Sequence, residues 1–495
     1  MNKLPSETFC ALPWLHLSSR PDGKMRTCCT SNASSVQDPD SSKKIGGGEV
    51  GIIRREDGVP ANFNHTTLEE AWNSSYMRNV RKIMLRGGKP APCLKCYKEE
   101  DAGHYSKRNW ETEYWGNRFN IDELVKETNE DGSTPPKIRY IDLRLGSKCQ
   151  LACVMCSPHD SSGWIKEWQQ MHPQIKNEKL KSTSQWDNKG RKDGASYNWH
   201  KNNPRFWKDL MDQIPHMYQL YFAGGESLVI KEHYELLEEC IKRGHAKNME
   251  LRYNSNGVEW RDDLFDLWDQ FKRVRFHYSI DALGEQNDYI RYPSQWKRQE
   301  EVFHILDGTH PKHEITTATT IMALNVAYLP ELTKWKVEQG FKKINKWPLG
   351  AGGINCHFAY WPPQLNVKVL PQNIKQQIKD KYEKEFYPWI DDNWDKFTGV
   401  KQAGITKDEY EKEFYPWIDD NWDKFTGVKQ AGITKEDFLG AVYGKKRFQG
   451  VINFMMAEDW SERFPQTQEW INLLNKQRNW DDRFLKVFPI FKGLL

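Results

Sequence analysis

From Lys137 onward the chain alternates two hydrophobic rhythms. An in–out alternation typical of strands recurs over 138–145, 218–223, 249–254, 273–281, 314–324 and about 353–360. Between these runs the spacing predicts helices, among them 231–243, 261–271, 296–306 and 329–339. Six strand–helix repeats imply a parallel sheet with right-handed crossovers. A Lys-, Asn- and Ser-rich stretch from about 172 to 203 interrupts the series and reads as a surface insertion.

Strands buried on both faces should read as continuous apolar runs. Here several carry charge on one face: Asp142 and Arg144; Arg252 and Asn254; Arg275, His277, Ser279 and Asp281. Their other face holds Ile141, Leu143 and Leu145, or Phe276, Tyr278 and Ile280. Either some of these strands are sheet edges, or the sheet curves into a partial barrel with a polar lumen. The second reading is adopted, and a polar ligand would sit in that lumen.

Upstream, a helix is expected from about Thr67 to Leu85, capped by Thr66 or Thr67, with Leu68, Ala71, Trp72, Met77, Val80 and Met84 as its apolar stripe. Asp131-Gly132-Ser133-Thr134-Pro135-Pro136 reads as a linker. Beyond about Asn366 the pattern is helical and holds an unchanged tandem duplication. Residues 382–407 return at 410–435, a period of 28. Solenoids need about three or more repeats, and old repeats drift. A functional repeat is therefore not expected.

Composition narrows the class. Aromatic residues make up 13% of the 495, too many for a disordered chain. A net charge of +4 excludes a global polycation, although not a local basic patch. No apolar run reaches the roughly 18 residues needed to span a bilayer, and the start MNKLPSETFC has no signal-peptide stretch. A cytoplasmic protein is expected, and in that compartment ten cysteines point to metal or catalysis rather than disulfides.

The sharpest cluster is Cys149-Gln150-Leu151-Ala152-Cys153-Val154-Met155-Cys156, just after the first strand of the series. Three thiolates on one tight loop suit a [4Fe–4S] cluster with one iron left open. Zinc is the alternative, with His159 able to complete a four-ligand shell. Cys240 lies in an apolar helix and is expected to be core; Cys356 lies on the last strand. No H-E-x-x-H spacing and no phosphate-binding G-x-x-x-x-G-K-[ST] loop occurs.

This CxxxCxxC spacing after the first strand resembles the radical S-adenosylmethionine (SAM) enzymes, whose fold is a partial (β/α)6 barrel. The resemblance implies that the open iron binds SAM. One-electron reduction would then cleave SAM to methionine and a 5′-deoxyadenosyl radical, which abstracts a substrate hydrogen. Ala223-Gly224-Gly225-Glu226 is similar to that family's GGE motif, which holds the SAM amino group; on its own it reads as a strand-to-helix turn. Asn254-Ser255-Asn256-Gly257 resembles an NG-type turn of the family. Ser279-Ile280-Asp281 with Arg291 resembles its SID…R pattern, placed near the SAM ribose and carboxylate, and Asn325 is a weaker candidate for the same pocket. Without the resemblance, Arg291 reads equally well as a surface arginine.

The N-terminal segment resembles the SPASM/twitch domains that accompany such cores and hold auxiliary iron–sulfur clusters. It carries Asp22-Gly23 before Cys28, then Glu70-Ala71-Trp72-Asn73-Ser74, then Cys93-Leu94-Lys95-Cys96. The implied ligands are Cys10, Cys28, Cys93 and Cys96, with Cys29 as a spare or a substitute for Cys28. Two departures stand out: these domains more often follow the barrel, and the cysteine count supports one auxiliary cluster, not two. Zinc on the same four thiols remains an alternative.

The expected organisation is an α/β protein. It comprises a twitch/SPASM-like α+β domain at 1–115, a linker at 116–136, a radical SAM (β/α)6 core at 137–365 and a helical region at 366–495. The resemblance spans roughly 7–365. It implies a [4Fe–4S] cluster on Cys149, Cys153 and Cys156, with SAM held by Gly224, Gly225, Glu226, Asn254, Ser279, Asp281 and Arg291. An auxiliary cluster, most simply an electron-transfer centre, and an electron donor such as a flavodoxin or ferredoxin complete it. The expected substrate is a peptide or small molecule, with neither nucleic acid nor membrane as a partner. The alternatives are a radical SAM enzyme acting on a nucleotide, sugar or RNA base, and a non-catalytic zinc-binding protein.

Overall fold

A computed structural model describes residues 4–31, 50–101, 106–183, 195–344, 352–393, 396–397 and 445–495. All six expected strands form, and two N-terminal strands join them in one sheet. The strands are β1 (His16–Ser19), β2 (Met25–Arg26), β3 (Tyr140–Leu143), β4 (Gln219–Phe222), β5 (Glu250–Ser255), β6 (Arg273–Ser279), β7 (Glu314–Ile321) and β8 (Asn355–Phe358). Their order is β2-β1-β3-β4-β5-β6-β7-β8. Every neighbouring pair is parallel except the β1–β2 hairpin. The six expected strands are thus extended to an eight-stranded sheet, because the segment around His16, outside the expected core, pairs with β3.

Register separates the two faces. One row runs Leu17, Ile141, Leu220, Leu251 and Val274; the neighbouring row runs Ser18, Asp142, Tyr221, Arg252, Arg275 and Glu314. The apolar face is buried under helices that supply Phe206, Leu237, Trp268 and Phe303. Polar residues of β6 are half-buried while the residues between them are buried. Since β5 and β6 are paired on both sides, a sheet-edge position does not explain their charges. The polar face is instead roofed by the helix Lys107–Gly116, whose Trp115 ring lies 5.4 Å from that of Tyr140.

Several local expectations shift. The helix foreseen from Thr67 to Leu85 forms as Leu68–Trp72 and Ser75–Leu85. Ser74 caps the second piece by accepting from the Met77 amide, so the chain restarts there. The polar stretch after 172 is not all surface: Trp199 and His200 are buried, and the Trp199 indole donates to the Pro21 carbonyl at 3.1 Å. Residues 184–194 of that stretch lie outside the described residues.

The C-terminal region is helical where described. The first repeat copy opens on Tyr382, whose hydroxyl donates to the Val326 carbonyl at 2.7 Å, and on the buried Phe386. The second copy lies outside the described residues. The helix Phe464–Arg478 packs Trp470 and Leu474 into one core with Ala152, Val154 and Trp164. The C-terminal helices therefore back directly onto the cysteine-bearing loop. Among the described residues no helix is long and apolar enough to cross a membrane.

Candidate cysteine centres

The loop after β3 carries Cys149, Cys153 and Cys156 without regular structure, so its shape depends on bonds to its surroundings. The Ala152 and Val154 amides donate to the Tyr292 and Ile290 carbonyls at 2.6 and 2.8 Å, laying the loop along the segment before Pro293. The Cys149 amide donates to the Ser162 hydroxyl at 3.1 Å, and the Trp164 indole donates to the Cys153 carbonyl at 2.8 Å. Arg478, from the last long helix, donates to the Ala152 carbonyl at 2.7 Å and to Glu167 at 2.8 Å.

The three thiols share one electrostatic environment. A hydrogen bond from Cys156 lowers the Cys153 thiol below its ordinary range, helped by Arg291 and Arg478 and opposed by burial. The same bond pushes Cys156 well up. Burial raises Cys149 to about 12, with Cys153 and Glu226 adding to the effect. Cys153 is thus the sulfur of this loop held closest to thiolate.

The turn after β4 docks onto the same loop. Gly224 and Gly225 have φ of 74° and 56°, a left-handed conformation that favours glycine. A Cβ on Gly225 would stand 2.6 Å from the Lys148 carbonyl oxygen. The Gly225 amide donates to the Asp160 carbonyl at 3.0 Å and the Glu226 amide to Lys148 at 2.7 Å, gripping both flanks of the loop. The Glu226 carboxylate accepts from the Leu228 amide at 3.1 Å, the Ser255 hydroxyl at 2.9 Å and the Asn256 amide at 2.8 Å. It is buried, and desolvation pushes it up to about 7. Glu226 thus braces the end of β4 against the end of β5. Asn256 completes the link, donating to the Cys149 sulfur at 3.6 Å.

Asp281 and Arg291 form a buried pair, 2.8 Å between Nη2 and Oδ2, and the other Asp281 oxygen accepts from the Thr320 amide at 2.7 Å. Arg291 is therefore no surface arginine: its Nη1 stands 4.0 Å from the Cys153 sulfur. Asn254 and Ser279 sit half-buried on the polar face. Asn325 is wholly buried and builds a turn, donating to the Asp281 and Thr320 carbonyls at 2.8 and 2.9 Å.

The N-terminal thiols also gather. Cys93 is raised by burial first, then by Cys28, Cys10 and Cys96; Cys10 is raised by burial, then by Cys28 and Cys96. These four therefore lie within electrostatic reach of one another. Cys29 raises the neighbouring Cys28 after burial does, and also acts on Arg26, Lys107, Arg144 and Arg252, the cations of the polar face. His159, the alternative fourth ligand of the triplet, has Nε2 3.0 Å from Arg20 and Nδ1 2.7 Å from the Tyr197 hydroxyl. Cys240 is buried in the helix core and Cys356 donates to the Ile354 carbonyl at 3.6 Å. Among the described residues no group of three or more His, Cys, Asp and Glu side chains is arranged to hold a single metal ion.

Two groups of residues were not foreseen from sequence. Arg478 and Trp164 fasten the cysteine loop from outside it, and nothing in their own sequence neighbourhoods signals this. The polar face adds Tyr140, Lys107, Glu111 and Arg26 to the expected Asp142, Arg144 and Arg252. Asp142 is fully buried, accepts from the Ser18 hydroxyl at 2.9 Å and lies 3.6 Å from Arg144. Lys107 pairs with Glu111. Arg252 donates to His277 at 3.2 Å and lies over the Tyr221 ring at 4.8 Å.

Compared with known proteins, the chain matches no family model and no curated protein.

Proposed function

We propose that this chain is a radical SAM enzyme built on a partial (β/α)6 barrel. A [4Fe–4S] cluster would be held by Cys149, Cys153 and Cys156, and one auxiliary iron–sulfur cluster by Cys10, Cys28, Cys93 and Cys96. The observation that carries the reading is the docking of the Gly224–Gly225 turn onto the Cys149–Cys156 loop, at the carboxyl ends of adjacent parallel strands. Ligands of open parallel sheets bind at that end, and the two motifs are far apart in sequence.

The donor set fits the groups. Sulfur ligands select soft metals and iron–sulfur clusters. In a cubane each thiolate takes its own iron, so three thiolates leave one iron free. The four N-terminal thiols would close the auxiliary cluster, which suits electron transfer. Bound there, cluster and SAM would supply reductive cleavage of SAM and abstraction of a substrate hydrogen, with the electron supplied by a donor such as a flavodoxin or ferredoxin.

This chain's own residues prepare the site. Arg291, with its charge partly met by Asp281, stabilises the Cys153 thiolate. The left-handed glycines bring backbone against the loop where a side chain would collide. Glu226 holds the ends of β4 and β5 in register. The C-terminal helices bury the loop's apolar residues and keep water from its rear. The substrate, a peptide or small molecule, would meet the polar face of the sheet.

Metal analysis of anaerobically purified protein tests this directly. Iron and acid-labile sulfide in equal amounts, about four of each per chain for the triplet and more for the auxiliary site, are expected. Zinc without iron would instead identify a non-catalytic zinc protein.

A further inference from the structure

The polar face of the sheet holds more cationic charge than its own carboxylates balance. Arg20, Arg26, Lys107, Arg144 and Arg252 face Asp142, Glu111 and Asp160, five cations against three anions. Arg275, at the margin, is already paired with Glu314 at 2.9 Å. The surplus is felt nearby: burial first, and then Arg447, Arg252, Lys107 and Lys95, push His357 down to about 4.

Donors in this patch also have unmet hydrogen-bonding capacity. Arg26 Nε and the Tyr140 hydroxyl are buried without a hydrogen-bond partner, and Arg144 Nε reaches only the Asp142 carboxylate, at the long separation of 3.6 Å. Roughly 90% or more of buried polar groups in folded proteins are paired, so Arg26 Nε and the Tyr140 hydroxyl would each gain from an acceptor brought by a ligand. Tyr140 is fully buried, its ring stacked on His16 at 4.0 Å, and burial keeps its hydroxyl protonated, within electrostatic reach of Lys107, Glu111, Arg252 and Asp142. Yet the patch is not sealed. The Arg144 and Arg252 side chains keep 22% and 23% of their exposure. Arg144 also adjoins the proposed chemistry, since a Cβ on Gly224 would lie 3.1 Å from the Arg144 Cβ.

We propose that this face of the sheet binds an oxyanion group, carboxylate or phosphate, of the molecule the protein acts on. Arg144 and Arg252 are its cationic partners and the Tyr140 hydroxyl is a neutral donor. A guanidinium fork suits either oxyanion bidentately, and Asp142 and Glu111 keep the patch from attracting anions of every shape. The inference rests on the radical SAM reading only in naming the ligand as substrate; the binding itself requires neither SAM nor a reductant.

Calorimetric titration of the full-length, anaerobically purified protein tests it, with glutarate and inorganic phosphate as the two probes. Saturable binding of at least one is expected, and the tighter probe identifies the oxyanion. Arg144→Gln and Arg252→Gln should each weaken that binding about tenfold, the loss of a charge-assisted hydrogen bond. Lys208→Gln, at an exposed position on the opposite side of the sheet, should leave it unchanged. Tyr140→Phe keeps the stacked ring, so it reports even if the arginine variants do not fold. It should weaken binding about threefold while raising Tm, because a buried hydroxyl without a partner is removed. Absence of saturable binding by both probes, or binding that Arg252→Gln and Tyr140→Phe leave unchanged, would overturn the inference. A protein that cleaves SAM but binds neither probe contradicts this inference alone. One that binds a probe but contains no iron contradicts the radical SAM reading alone.

Discussion

Arg291 and Asp281 form an ion pair of 2.8 Å within the protein interior, and the second terminal nitrogen of Arg291 reaches to 4.0 Å from the Cys153 sulfur. A carboxylate buried beside an arginine is stable only while the arginine stays, because burial alone raises Asp281 above its usual range. The same guanidinium lowers Cys153, so one side chain links the end of β6 to the cysteine loop.

Removing the arginine alone should therefore cost more than removing the pair. Arg291→Met is expected to destabilise by roughly 3–5 kcal/mol in urea unfolding, by stranding Asp281. Adding Asp281→Asn should recover much of that loss, giving a clear coupling energy in the double-mutant cycle. Equal, additive costs would contradict the pairing. In metal-free protein, Arg291→Met should also raise the pH at which Cys153 is alkylated.

Arg478 is the second fastening. Its side chain is wholly enclosed, with its guanidinium 4.8 Å from the Trp164 ring and 4.4 Å from that of Tyr292. Arg478→Met should cost roughly 3–5 kcal/mol, since Glu167 is left without its buried partner. It should also lower iron occupancy at the triplet while sparing the N-terminal centre, as read by iron analysis and electron paramagnetic resonance. Full iron content in a destabilised variant would show that Arg478 serves folding alone.

Acid sensitivity follows from the buried histidines. His233 donates or accepts at 2.8 Å with the Tyr253 hydroxyl, and burial lowers it from 6.5 to about 3. Below pH 6.5 the unfolded chain takes up a proton that the folded chain refuses, so stability is lost as pH falls through that window. By pH 5 the loss is about 2 kcal/mol from this residue. His16 is lowered to about 4 by burial and adds in the same direction. His233→Gln should flatten the decline between pH 7 and pH 5; an unchanged slope would show that His233 does not cause it.

Deleting one 28-residue period, residues 408–435, keeps Tyr382 and Phe386 in the core and should leave folding and activity intact. Thermal unfolding of the deletion variant checks this. Loss of expression or of the unfolding transition would show that the second copy contributes structure.

The sheet was legible because its strands obey a period of two, and the alternation around Arg275 and Phe276 gave both faces correctly. β1 escaped notice because its four residues, His16–Ser19, end on two serines and show no hydrophobic alternation in the sequence. Its partner β3 lies more than a hundred residues away, beyond any local signal. The break at Ser74 is local, but a helical stripe on both sides hid it. Spacing brought the cysteine triplet and the glycine turn to attention, and their juxtaposition agrees with the adjacency of β3 and β4. Arg478 could not be read, since a solitary arginine in an amphipathic helix has many possible fates. Cys28 and Cys29 differ only in which way each thiol turns, which sequence does not encode.

The central claim is tested most directly by SAM cleavage in wild type and Cys153→Ala, under strong reductant and without oxygen. Wild type should release 5′-deoxyadenosine and methionine. Cys153→Ala should release neither while keeping the iron of the N-terminal centre. Absence of cleavage by an iron-replete wild type, or cleavage surviving in Cys153→Ala, would contradict the account.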